Sequence, residues 1–426
     1  MKYILFIIAT LSFTLNVFSQ HREIEWLKQE MVVLNLDTNE QFIQDEASLK
    51  KAIGNARIVL LGEETHGDGK AFETKVELIE FLHSELDFNV LAFESSLYLA
   101  EKSNQLLASS SDPVQMLRRA TYPHWSWTVE VQPLLQYISE KSSSNRPLFV
   151  SGFDYQEISP VDRETFPMEL FNTLKKLDIS FSDQTEQNDY FLFYSYLSNS
   201  FYNLPKDMSP EILTHQLNVF TTLSEKFISE FDGKKDDDIQ LLSKVLRDKV
   251  AAAPKRVDEL LKKMNNTNVQ GLQMQMWRDS IMAANIVWLK EERYPEGKLI
   301  IWAANRHIAR NIDKTMGDYL FKKYGEDIYS IAFVANKGQW GTIGMKESKT
   351  ISEAKENTME NIFSMTAREN FFLDFRAHEN TKRGKWLSNE MIMRPHGYLE
   401  ESRVWTDIYD SVIFNNLMTR SRLFKK

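Results

Sequence analysis

The chain has 426 residues carrying 51 Lys and Arg against 60 Asp and Glu, a net charge of -9, so no general basic field is available to hold a nucleic acid. Hydrophobic residues make up 42% and charged residues 26%, with only 15 Gly and 11 Pro, which excludes collagen-like, disordered and low-complexity classes. There is no Cys, and with it go disulfides, thiolate zinc sites, iron-sulfur clusters and thiol catalysis; any chemistry comes from His, carboxylates, Lys, Arg, Ser or Tyr.

The chain opens MKYILFIIATLSFTLNVFSQ, with Lys2, an apolar stretch to about Phe18, and a small Ser19. This is the pattern of a bacterial signal peptide over residues 1–19, and it predicts export to the periplasm or the medium. The run is shorter than the ~20 residues a membrane span requires. No later stretch is long and apolar enough to cross a bilayer, so no membrane association is expected after cleavage.

From Arg57 the pattern becomes regular. Arg57 to Glu63 (RIVLLGE) is a continuous apolar run ending in a carboxylate, as a buried parallel strand would. A turn-like ETHGDG follows, and Phe72, Val76, Ile79, Leu82 and Leu86 then recur at helical spacing. Phe88 to Glu94 (FNVLAFE) reads as the neighbouring strand, also closing on a carboxylate. Four further runs repeat the design: Pro147 to Asp154, Lys298 to His307, Ile328 to Asn336 and Ser411 to Asn416. Ligands of open parallel sheets bind outside the carboxyl ends of the strands, so these polar termini are expected to share one crevice. Between about 155 and 277 the sequence is polar and helical, with no comparable strand signal, and is read as a helical insertion forming a wall or lid. Asp232 to Asp238 (DGKKDDD) lacks the spacing of a calcium loop and reads as a solvated loop or helix start. Residues 346 to 406 show no clear element and are read as a cover over the far side of the crevice. The expected fold class is α/β: a mostly parallel central sheet flanked by helices, in one domain over residues 20–426.

The familiar nucleophile patterns are absent: no G-x-S-x-G, no H-E-x-x-H and no G-x-x-x-x-G-K-[ST]. What remains is Gly62-Glu63-Glu64-Thr65-His66-Gly67, between a strand end and a helix start. His66 is the candidate base for drawing a proton from water, with Glu63 and Glu94 orienting and polarising it. Helix capping or a structural ion pair is the alternative for Glu64 and Glu94. Lys75, nine residues after His66 beside the buried face of the helix, is expected to pair with Glu63 or Glu94, and Lys75, Arg278 or Asn305 to touch substrate by stabilising the developing oxyanion. Asn305 and His307, closing the WAANRH run, are candidates to donate to a carbonyl oxygen and to act as acid, base or ligand. Arg278 starts a helical stretch, where an ion pair is the default. His124, in YPHWSW, is a candidate wall for a hydrophobic ligand, although aromatic clusters are commonly plain core.

Taken together, GEETHG, Lys75, FNVLAFES, GFDYQ at Gly152 to Gln156, Arg278-Asp279 with Met282 and Asn285, WAANRH and Gly317-Asp318-Tyr319-Leu320 resemble, in this order, the erythromycin esterase family. The resemblance implies an erythromycin esterase/ChaN-like fold and a carboxylic ester hydrolase that opens an ester or lactone, macrolides among them, through histidine-activated water, without metal or cofactor. On matching positions it implies Glu63, His66, Lys75, Glu94, Arg278 and His307 as site residues. One position departs from the pattern: the family block reads His-Asn-x-His, and this chain has Ala304-Asn305-Arg306-His307. That separates membership of the family from macrolides as the substrate. Two other readings use the same residues: a metal-dependent hydrolase with Glu63, His66, Glu94 and His307 as ligands, and a secreted, non-catalytic binder of a hydrophobic ligand or glycan.

Overall fold

The computed structural model describes residues 21–36, 40–157, 160–198, 204–265 and 271–425. The signal-peptide expectation for residues 1–19 lies outside them. Among the described residues the strands are β1 (Val32–Val33), β2 (Ile58–Leu61), β3 (Val90–Ser96), β4 (Phe149–Asp154), β5 (Leu299–Trp302), β6 (Ile328–Trp340), β7 (Lys349–Ile351), β8 (Asn370–Asp374), β9 (Glu390–His396), β10 (Leu399–Val404) and β11 (Ser411–Met418). The chain divides into two compact units, one of Met1–Phe88, Trp127–Leu134 and Lys298–Lys426, the other of Asn89–Ser126 and Leu135–Gly297.

The first unit is built on strands in the order β1-β8-β11-β6-β2-β5, with β7 also pairing β6. β11, β6, β2 and β5 run parallel, while β1, β7 and β8 join antiparallel. β2 and β5 consist of side chains wholly removed from solvent, Ile58 to Leu61 and Leu299 to Trp302. This is why they read as unbroken apolar runs rather than alternating ones. β2 is flanked by β5 on one side and β6 on the other, with Leu61 opposite Trp302 and Ile331. The run from Phe88, expected beside β2 from chain order, therefore does not hold that place. Chain order predicts a neighbour only where the connection returns to the same strand edge, and here both edges of β2 are taken by later segments. The helix Gly69–Leu86 follows β2, starts after Asp68 and ends at Asp87, which takes the left-handed conformation (φ 59°).

The second unit contains the parallel pair β3 and β4. It also carries the helices Pro160–Lys176, Gln184–Ser198, Pro210–Phe231, Asp237–Met264 and Gly271–Trp288, the helical stretch read from the sequence. Rings from different helices pack its interior: Tyr190 stacks on Phe220 at 5.0 Å, and Phe166 on Tyr194 at 5.3 Å. Asp232 to Asp238 closes one helix and opens the next, where Asp236 caps the amides of Asp238 and Ile239.

Residues 346 to 406 form β7 to β10 rather than an irregular cover. β7 has only three residues and β10 (LEESRV) is two-thirds polar, so neither length nor alternation announces these strands.

Candidate active site

The loop after β2 turns through Gly62 to Gly67. At Gly62 a β-carbon would press on the Asn305 amide and on Ile308 Cδ1, and at Gly67 on the backbone of Gly341 at 2.6 Å, so glycine lets the chain pass close at both. Glu63 is wholly buried at this strand end. One of its oxygens lies 2.7 Å from His66 Nδ1. The other accepts from Lys75 Nζ at 2.7 Å and from the Trp302 indole N–H at 2.8 Å. Lys75 also sits 4.4 Å from the centre of the Trp302 ring and donates to the Ala303 carbonyl at 3.4 Å. The carboxylate is thus held by three donors, while the imidazole is 34% exposed.

Burial pushes the Glu63 carboxyl up, but the Lys75 ammonium and the His66 and Lys75 hydrogen bonds outweigh it and hold the group below the usual carboxylate range. An ionised Glu63 only accepts, so His66 carries its proton on Nδ1 and, while neutral, has Nε2 as its basic nitrogen. Glu63 then stabilises the imidazolium that forms when Nε2 takes a second proton. Lys75, expected to touch substrate, is wholly buried against Glu63, so its role is to hold that carboxylate.

A second acidic group stands behind the loop. Asp68 accepts from Thr65 N and Thr65 Oγ1, both at 2.7 Å, and from the Tyr398 hydroxyl at 2.9 Å. Burial pushes its carboxyl up to about 7, with the Thr65 and Tyr398 hydrogen bonds opposing and the Glu63 charge adding to the rise. Glu64, 6% exposed, is raised well above its ordinary value by burial and by the Asp68 and Glu360 charges. Glu360, near Arg394, is pushed by burial up to about 7. An acid whose folded-state pKa lies above its unfolded one costs the fold stability as pH rises from about 4 to about 7, and no more above that. Asp68→Asn is therefore expected to flatten this part of the stability profile. Urea midpoints at pH 5 and pH 8 should lie closer together in the variant than in the parent, with Glu64 and Glu360 among the groups that leave a residual difference. An unchanged difference would count against this account of Asp68.

Asn305 and His307 sit on a one-turn helix, Asn305–Ile308, after β5. The Asn305 amide N–H donates to the Glu63 carbonyl at 2.7 Å, tying the two loops together. Its side chain is fully buried: Nδ2 donates to the carbonyls of Phe333 (2.7 Å) and Pro395 (2.8 Å), and Oδ1 accepts from Phe333 N (3.0 Å). Both amide hydrogens are thus engaged by backbone, and the expectation that Asn305 donates to a bound carbonyl does not fit this geometry. His307 is 3% exposed on the same turn.

Glu94, Arg278 and His124 belong to the second unit. Glu94 lies inside β3 rather than at its end and is 2% exposed. Arg278 donates from Nη2 to Glu94 at 2.7 Å, and from Nε (3.1 Å) and Nη2 (2.5 Å) to Asp154, the last residue of β4. These two carboxylates, against the opposing effect of burial, hold the guanidinium well above its ordinary pKa. The default ion pair is what the structure shows, with Asp154 as a second partner. His124 is half-buried on the turn Pro123–Ser126, its ring edge-on to Trp125 at 6.5 Å. Among the described residues no group of three or more His, Asp and Glu side chains is placed to hold a metal ion.

Asp68, Tyr398, His396 and Tyr409 also stand in these networks, and no motif in the sequence marks them. His396 Nδ1 lies 2.7 Å from Glu401, its Nε2 2.8 Å from the Tyr409 hydroxyl, and that hydroxyl donates to the Asn305 carbonyl at 3.1 Å. The only local signal was Asp68 two residues past His66; the others lie over 300 residues from it in sequence.

The profile described as Erythromycin esterase matches residues 83–416. The chain belongs to the erythromycin esterase family. The matched interval starts beyond the loop that carries His66. A curated Bacillus subtilis (strain 168) protein named "Putative hydrolase YbfO" is 26% identical over 411 residues, spanning 92% of this chain and 90% of the relative. A solved mutant of the erythromycin esterase EreC, in its open conformation, superposes with a TM-score of 0.69 at 16% identity, over 93% of this chain and 99% of EreC. A succinoglycan biosynthesis protein superposes with a TM-score of 0.72 at 17% identity, over 95% of this chain and 98% of that one. The chain and these solved structures share the mixed α/β fold, a central sheet flanked by helices, that the apolar runs predicted.

Proposed function

We propose that the protein is an exported hydrolase of a carboxylic ester or lactone, with His66 as the base that takes a proton from water. The observation that carries this reading is the Glu63–His66 pair: a buried carboxylate, fixed by Lys75 and Trp302, bonded to Nδ1 of a partly exposed imidazole. Water attacks the acyl carbon, Nε2 takes its proton, and the imidazolium returns that proton to the leaving alkoxide, so the ester and one water become an acid and an alcohol. A positioned base of this kind is typically worth about 10² to 10⁴ in rate. Membership of the family supports hydrolysis; Ala304 in place of the family imidazole is why macrolides are one candidate substrate class rather than the assignment. The apolar segment ending at Ser19 supports export.

The test is mass spectrometry of simple esters, medium-ring lactones and macrolides incubated with the protein in ordinary and ¹⁸O-labelled water. The expected product gains the mass of one water, with label in the new carboxylate. Binding of a lactone without such a product, unaltered in His66→Ala, would favour the non-catalytic binder.

A further inference from the structure

The hairpin of β9 and β10 closes between His396 and Leu399 through Gly397 and Tyr398, at φ 67° and 64°. Two consecutive residues in the left-handed region are what a two-residue hairpin of this hand needs, and glycine or asparagine is the usual occupant. A tyrosine there is strained, and such a residue persists only when its surroundings over-determine it. The phenol supplies the reason. Its hydroxyl meets Asp68 Oδ1 at 2.9 Å, from a position 330 residues later in the chain. Next to it, Gly397 N donates to the Glu64 carbonyl at 3.2 Å, so the hairpin tip grips the loop at two points on either side of His66.

Asp68 is the residue before the helix Gly69–Leu86, the usual place for a side-chain cap, yet it makes no capping bond. Its carboxylate instead turns back to take both the amide and the hydroxyl of Thr65, the residue before His66. His66 is therefore bracketed: Glu63 holds the ring at Nδ1, and Asp68 holds the backbone that delivers the ring.

We propose that Tyr398 is a positioning residue for His66, its hydroxyl fixing the Asp68 carboxylate, which in turn sets the turn that aims the imidazole. The proposal rests on His66 being the base, but the geometry it describes can be read without any substrate. The charged and titratable groups around Asp68 are Glu63, Glu64 and Tyr398, with Glu360 and Arg394 beyond Glu64. Loss of the phenol hydroxyl removes a donor that favours ionised Asp68 and loosens the turn that keeps His66 on Glu63. Both effects weaken the stabilisation of the imidazolium.

The experiment is a titration of the histidine side chains by NMR in the full chain labelled at the imidazole ring, with His66→Asn used to assign the signal. Tyr398→Phe is expected to lower the His66 midpoint by about half a unit or more, with His215, on the helix Pro210–Phe231, as the internal control. Asp68→Asn keeps an acceptor for Thr65 but lacks the charge, and is expected to move His66 the same way. Tyr398→Gly removes the backbone strain and is expected to retain the fold while showing the same displaced midpoint, which separates aiming from stability. If a hydrolysed ester is in hand, Tyr398→Phe should lower kcat by about 10- to 10²-fold with KM changed far less. A His66 midpoint unmoved in the folded Phe and Asn variants would overturn the role of Tyr398, whether or not the protein hydrolyses esters. A moved midpoint with no hydrolysis by any variant or the parent would uphold the clamp and count against the proposed reaction alone.

Discussion

His66→Ala is expected to lower kcat/KM for whichever ester the parent hydrolyses by about 10² to 10⁴, leaving the unfolding midpoint close to that of the parent. The two halves of this expectation come from the same geometry. The ring is 34% exposed and lies in a loop, so its removal opens no deep cavity. Yet its Nδ1 rests on the buried Glu63, and alanine takes away the nitrogen that this carboxylate supports. Glu63→Gln probes the same link from behind. A glutamine can present an N–H to Nδ1, which favours the imidazole form with its proton on Nε2, the wrong one for accepting a proton from water. Activity that survives in His66→Ala, measured on protein whose circular dichroism matches the parent, would remove His66 from the mechanism.

The largest effect on stability is expected from Lys75→Met. Lys75 and Glu63 are both wholly buried and 2.7 Å apart, and removing one member of such a pair strands the other charge in a medium that solvates it poorly. The loss is expected at about 3 kcal/mol, the lower end of the usual range of roughly 3–5, because His66 and Trp302 continue to donate to Glu63. Methionine keeps most of the volume, so the loss reports charge rather than a cavity. The double variant Glu63→Gln with Lys75→Met, which has no charge left to strand, should recover part of it, and urea unfolding of the four proteins closes the cycle. Additive losses would mean that the two side chains do not depend on each other. The sign with pH follows from the depressed Glu63 pKa: the stability this pair confers is present above about pH 4.5, the unfolded value, and is lost as pH falls through the lower folded value.

The strands at the centre of the first unit were legible because burial on both faces leaves an unbroken apolar signature. The runs from Arg57, Lys298, Ile328 and Ser411 became β2, β5, β6 and β11. His66, Glu63 and Lys75 were legible because they fall within 13 consecutive residues of one strand, turn and helix, where spacing constrains geometry. Trp302 closed a predicted strand, but its role as a donor to Glu63 required knowing that β5 lies beside β2, which no local pattern reveals. Tyr398 was out of reach for the same reason and for another: it sits in a hairpin whose strands are too polar to show an apolar run. Asn305 was found by type and misread in role. An amide at a strand end looks alike whether it faces a ligand or a backbone, and only the positions of Phe333 and Pro395 decide between them.

That amide has a consequence for how such proteins diversify. Because Asn305 fastens the turn after β5 to two other strands by main-chain atoms alone, the frame does not depend on the identity of the residue just before it. Alanine stands at 304, and the turn is held all the same. Reagents at these strand ends can thus be exchanged one at a time over a constant chassis, so a change of chemistry need not be accompanied by a change of shape.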